Sequence, residues 1–186
     1  MTRRRPWASR LAPLAALLVL ASCGGDEEVA GGAADLAGPV PAGVAYARSP
    51  ATLPAPDFTA ELVDGTPVRA GELWAVRPYL FVFTASFCDR CREIHRAAAE
   101  AVAARDDAVG LLGIVGTDDG DAADYADELD LGQPLAVASE RVWLNYAARE
   151  PGLVVLVAKG GMVVRGWPGG ASAAELKKPL DELIVR

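Results

Sequence analysis

The chain has 186 residues, 52% of them hydrophobic and 23% charged, enough for one domain with a buried core. Acidic residues outnumber basic ones, 25 to 18, for a formal net charge of -7, and Arg3, Arg4, Arg5 and Arg10 all fall in the first ten residues. This balance excludes a nucleic-acid binder, which needs a basic footprint, and suits a soluble, non-sticky surface.

In chain order, the arginines form a positive leader before an apolar stretch, Leu11 to Leu20. That stretch has the length of a signal-peptide core and is too short to span a bilayer as a helix. It ends in Leu20-Ala21-Ser22-Cys23, which resembles the lipobox of bacterial lipoproteins. Residues 1–22 are therefore expected to be a signal peptide and Cys23 a lipid-attachment site, with the protein held at the outer side of the bacterial cell membrane. Two acyl chains give stable anchoring where one would not. Residues 23–50 carry paired glycines, Asp26-Glu27-Glu28, Pro39 and Pro41 and few large apolar side chains. They read as a flexible tether, with a short strand near Val44–Ala47.

The folded domain is expected from residue 51 to residue 186. Phe58–Val63 and Thr66–Val68 read as a hairpin about Asp64-Gly65, and Ala70–Ala75 as a helical turn. The unbroken apolar run Tyr79–Thr84 predicts a fully buried strand. Arg92–Arg105 predicts a helix with Ile94, Ala97, Ala98, Ala101 and Val102 on one stripe. A strand at Val109–Val115, a helix at Ala122–Leu131 and a strand at Leu135–Ala138 follow. Asp118-Asp119-Gly120-Asp121 lacks the ligand spacing of a calcium loop and reads as a helix cap. After a helix at Glu140–Ala148, the strands Leu153–Ala158 and Met162–Arg165 turn at Lys159-Gly160-Gly161. Ser172 caps a last helix, Ala173–Ile184, which carries Pro179. Strands alternating with helices give an α/β class with a mixed central sheet flanked by helices.

Cys88 and Cys91 lie between the buried strand and the helix after it, as C-x-x-C. The first sulfur then sits at a helix N-terminus, where unpaired N–H groups and the helix dipole favour a thiolate. This is the pattern of a dithiol/disulfide redox site. A zinc site needs four ligands, and the chain adds only Cys23 and His95 as further cysteine and histidine. A purely structural disulfide remains as a rival, although so small a loop constrains the unfolded chain little. His95 reads as an exposed or half-buried helix residue. Trp74, Trp143 and Trp167 read as core or rim packing, with Trp143 and Tyr146 on one helix face that could border a groove.

From residue 51 onward the sequence resembles the TlpA/ResA/DsbE-like branch of the thioredoxin superfamily. The resemblance rests on Pro54-Ala55-Pro56-Asp57-Phe58, on Phe81 to Arg92, on Tyr146 to Pro151 and on Gly160 to Val164, with Ala122–Ala138 similar to the insertion of that branch. It implies Cys88 as nucleophile, Cys91 as resolving thiol, and Pro151 as a cis-proline that turns the backbone of Glu150 toward the sulfurs. Departures fall at Phe87 (usually Trp), Asp89-Arg90 (usually a Pro-containing pair), Arg96 (usually Pro) and Glu150 (usually neutral). Phe87 can still shield the disulfide, Arg90 should favour a Cys88 thiolate and Asp89 oppose it, and Glu150 should push the pair toward a more reducing potential. Val82 stands where thioredoxin keeps a buried acid, which leaves Glu72 and Glu150 as candidate proton-transfer groups.

The expected function is extracytoplasmic thiol–disulfide exchange by a monomer without metal or organic cofactor. Exported proteins with cysteine pairs, such as apocytochrome c, would be clients, and a membrane electron donor or acceptor the redox partner. The same steps run in either direction. One rival is a non-catalytic thioredoxin-fold module that binds a partner protein or copper. Another is a thiol peroxidase, disfavoured because Ala85 stands where peroxiredoxins place Thr or Ser.

Overall fold

The computed structural model describes residues 29–117, 120, 122–130 and 132–185. The expected signal peptide, Cys23 and three of the aspartates expected to cap a helix (Asp118, Asp119 and Asp121) lie outside the described residues. In chain order the elements are β1 (Ala45–Tyr46), β2 (Thr59–Leu62), β3 (Pro67–Arg69), α1 (Ala70–Val76), β4 (Tyr79–Phe83), α2 (Cys91–Ala103), β5 (Gly110–Gly116), α3 (Ala122–Leu129), β6 (Leu135–Ala138), α4 (Glu140–Asn145), β7 (Leu153–Ala158), β8 (Met162–Trp167), α5 (Ala173–Asp181) and β9 (Ile184–Val185).

Among the described residues, seven strands form one mixed sheet in the order β3-β2-β6-β5-β4-β7-β8. β4, β5 and β6 run parallel, while β2 and the β7–β8 hairpin add antiparallel neighbours. β4 is buried on both faces because each face has its own helices. Tyr79, Phe81 and Phe83 point to the cluster shared with α1 and α4, which includes Trp74 and Val142. Leu80 and Val82 point to the cluster shared with α2 and α5, which includes Ala98, Leu176 and Leu180. α3 covers the adjoining end of the second face with Tyr125, Ala126 and Leu129 over Val115 and Leu135. Arg105, buried at the end of α2, donates to the carbonyls of Ala101 and Lys177 and to Asp181, which locks α2 against α5.

The stretch expected to be a tether lies on the domain from Val29 onward. Its polar composition hides a set of backbone contacts. Leu135 donates to the Gly31 carbonyl, and Asp64 accepts from the N–H of Ala33. Arg77 donates to the carbonyls of Gly38 and Asp107, and the Tyr46 hydroxyl to Ala108. β1 pairs antiparallel with β9. The last helix stops at Asp181, short of the expected Ile184, because Ile184 is needed in that pairing. Ser172 caps α5 as expected, with Glu175 completing a capping box.

Candidate active site

β4 ends at Phe83, and the chain turns through Thr84 to Arg90 before α2 begins at Cys91. The N–H of Cys88 bonds the Ala85 carbonyl, and that of Cys91 the Cys88 carbonyl, which winds the turn tightly. Cys88 and Cys91 are joined in a disulfide with their Cα atoms 5.3 Å apart. Cys88 is partly exposed and Cys91 fully buried. An incoming sulfur therefore has access to Cys88 and not to Cys91. Arg90, at the N-cap of α2, makes no side-chain capping bond. The N-terminus of α2 directly follows the turn that holds Cys88.

Beside the disulfide lies a cleft of about 430 Å³. Phe87, Trp143, Leu144, Ala148 and Pro151 give it apolar walls, with Glu140 and Arg149 at its rim. Phe87 is 76% exposed and Leu144 65%, so the cleft mouth presents large apolar surface next to the accessible sulfur. Trp143 borders this cleft as expected. Tyr146 does not: it turns into the core, its hydroxyl donates to the Pro56 carbonyl, and its ring packs on Phe58 and Phe83. Burial pushes its pKa upward. Leu144, Ala148 and Arg149 were not legible as cleft residues, since α4 is short and its pattern does not say which end of the sheet it crosses.

The remaining expected residues fall as follows. Asp89 and Arg90 are exposed, and Arg90 reaches the Gly169 carbonyl at 3.3 Å. Glu150 and Glu72, the candidate proton-transfer groups, are both exposed. Pro151 lines the cleft, but among the described residues no peptide bond is cis. The expected cis bond at Glu150–Pro151 is thus corrected to trans. Trans is the lower-energy isomer of an X–Pro bond, and the reversal into β7 is made at Gly152 instead. Its φ of 101° suits glycine, and its N–H bonds the Phe83 carbonyl at 2.6 Å.

His95 departs furthest from expectation. It is 1% exposed, and neither ring nitrogen has a hydrogen-bond partner among the described residues. The ring lies over Gly113 of β5, where an added Cβ would fall 2.6 Å from His95 Cε1. Burial alone lowers its pKa to about 4, so the imidazole is neutral at ordinary pH. Nearby, the buried Thr84 and Tyr125 hydroxyls are hydrogen-bonded at 2.6 Å and tie the strand end to α3.

No protein-family model matches the chain, and no curated protein matches it in sequence. Solved structures do match. A thioredoxin-family thiol:disulfide interchange protein from Chlorobium tepidum is 21% identical with a TM-score of 0.57, over 74% of this chain and 97% of that one. A secreted Mycobacterium tuberculosis disulfide oxidoreductase homologous to Escherichia coli DsbE is 21% identical with a TM-score of 0.56, over 67% and 94%. The exposed lipoprotein thioredoxin of Streptococcus pneumoniae is 24% identical with a TM-score of 0.55, over 69% and 100%. Together with the sheet order and the disulfide at the β4–α2 junction, these likenesses show that the chain has a thioredoxin-like fold.

Proposed function

We propose that this protein is an extracytoplasmic thiol–disulfide oxidoreductase that exchanges disulfides with exported proteins, acting as a monomer held to the membrane by a lipid on Cys23. The observation that carries the reading is the asymmetry of the disulfide: one sulfur at the surface beside an apolar cleft, the other sealed at the first residue of a helix. Cys88 is the nucleophile. Its thiolate, favoured by the N-terminus of α2, attacks a client disulfide and forms a mixed disulfide. Cys91 then attacks Cys88 and releases the client as a dithiol, while the Cys88–Cys91 disulfide forms. Two electrons pass to the client, and the reverse sequence oxidises it. The cleft receives apolar client residues that flank the reacting cysteine. The secreted and exposed-lipoprotein neighbours support the location outside the cytoplasm.

The test is Cys91→Ser in the full chain. An exchanging enzyme accumulates mixed disulfides with its clients, visible as thiol-sensitive adducts, and Cys88→Ser accumulates none. If neither variant forms adducts and binding survives in both, the protein is a binding module. Equilibration with glutathione or dithiothreitol then gives the direction. A potential near thioredoxin's, about −270 mV, marks a reductant that draws electrons across the membrane and serves steps such as cytochrome c maturation. A potential near DsbA's, about −120 mV, marks an oxidant.

A further inference from the structure

The resolving thiol must lose a proton in a place that water does not reach. Cys91 is 0% exposed, and a buried thiol holds its proton more tightly than a solvated one. The two acidic residues considered for this task, Glu72 and Glu150, are both in solvent. The buried titratable side chain one turn from Cys91 is His95. Residues four apart on a helix share a face, with Cβ atoms roughly 5–6 Å apart. Helical side chains lean toward the N-terminus, so a residue covers the turn before its own. His95 therefore leans toward Cys91.

Three further observations single this imidazole out. Its nitrogens have no partner among the described residues, although buried polar atoms are nearly always paired. Its space is made by an absent side chain, since a Cβ at Gly113 would collide with the ring at 2.6 Å. Its surroundings bring no charge to bear. Gly113 and Leu135 supply the sheet side. On α3, Tyr125 is bonded to Thr84, Glu128 is paired at the surface with Arg92 of α2, and Asp124 and Asp127 are exposed. A neutral, unpaired base thus sits one turn below a buried thiol.

We propose that His95 is the proton acceptor for Cys91. As the Cys91 thiol attacks Cys88 in the mixed disulfide, the proton passes to a ring nitrogen of His95. The Cys91–Cys88 bond forms, and the Cys88–client bond breaks with its electron pair leaving on the client sulfur. The imidazolium then returns the proton to solvent or to the departing thiolate. In the opposite direction the negative charge forming on Cys91 raises the proton affinity of His95, which takes up a proton from solvent and passes it to that sulfur as the disulfide opens. The lowered pKa belongs to the disulfide form, where burial is its only cause. An anionic sulfur one turn away raises it, so thiolate and imidazolium stabilise each other. This assignment rests on the pair being an exchanging one.

The experiment uses the full chain with Cys23→Ser, so that two thiols remain, and follows reduced protein with 5,5′-dithiobis(2-nitrobenzoate). The first thionitrobenzoate released reports attack by Cys88. The second reports resolution by Cys91. His95→Gln should slow the second release by roughly tenfold or more, within the reach of general base catalysis, and displace its rise to higher pH. The first release should stay within about twofold. His95→Leu, which fills the space without a buried polar group, should be equally slow and more heat-stable. Second releases within about twofold of wild type in both variants, at every pH, overturn the proposal. Should a variant not fold, the wild-type protein carries the test, because the chain has 1 histidine. Its ring-nitrogen shifts in the dithiol form should titrate through the window in which the second release rises, and no titration there overturns the assignment. If wild type gives no second release and forms no reversible disulfide, the exchange reading itself fails.

Discussion

His95 also makes a statement about stability that needs no redox chemistry. Burial lowers its pKa from 6.5 to about 4. Between those values the unfolded chain binds a proton that the folded chain does not, so stability rises with pH through this window and is fully regained above it. The shift corresponds to something on the order of 3 kcal/mol lost once the pH is below both values. His95→Leu removes the titrating group. The wild type should therefore lose stability relative to this variant as pH falls from about 7 to about 4, and the gap should level off below. Urea unfolding of both proteins across that range measures the gap, and a constant difference would contradict a buried neutral imidazole. Cys88 and Cys91 could be read from the sequence because their chemistry is local: strand, turn, helix and spacing all lie within a few residues. His95 could not. The apolar stripe of α2 orders only one side of the helix, and the burial of its neighbouring side depends on Gly113, Leu135 and α3, which are distant in sequence.

Elements built from unbroken apolar runs were legible to within a residue or two. β4, β6 and β7 follow directly from the runs at Tyr79, Leu135 and Leu153. β1 and β9 have two residues each and are stable only as each other's partners, so the segment around Val44 could be placed but its mate could not. The register of the central strands carries a test of its own. Gly110 of β5 pairs with Tyr79 of β4, and the tyrosine ring lies across it. A Cβ at Gly110 would fall 2.2 Å from Tyr79 Cζ. That ring also stacks on Phe81 and is buried, so it has little freedom to yield. Gly110→Ala should destabilise the fold by about 1–3 kcal/mol, as overpacking does, and lower the thermal midpoint. The Cys88–Cys91 potential should be unaffected, because Gly110 lies at the end of β5 away from the disulfide. An unchanged midpoint would mean the ring does not rest on this glycine.

At the scale of the whole molecule, the two ends of the parallel strands carry different things. The C-terminal ends of β4, β5 and β6 hold the disulfide and the cleft. The segment 29–47 is fixed at the opposite ends, where Gly31 meets Leu135, and Arg77 and Tyr46 hold Gly38, Asp107 and Ala108. The seven residues of β5 separate these ends by about 20 Å. With a lipid on Cys23, as proposed, five residues lie between the anchor and Val29, and the six steps from Cys23 to Val29 reach at most about 20 Å. A leash of that length would be short, and it would join the domain at the end far from the active site. With that anchor the disulfide would face away from the bilayer. This geometry is measurable in vesicles that carry a headgroup quencher. In the lipidated chain with Cys88 and Cys91 replaced by Ser, a fluorophore on a cysteine at the exposed Ala34 should be quenched strongly. One at the exposed Leu144, on the cleft, should be quenched weakly. Equal quenching would mean that the domain tumbles freely about its anchor, and then the contacts of residues 29–47 do not hold it in one orientation.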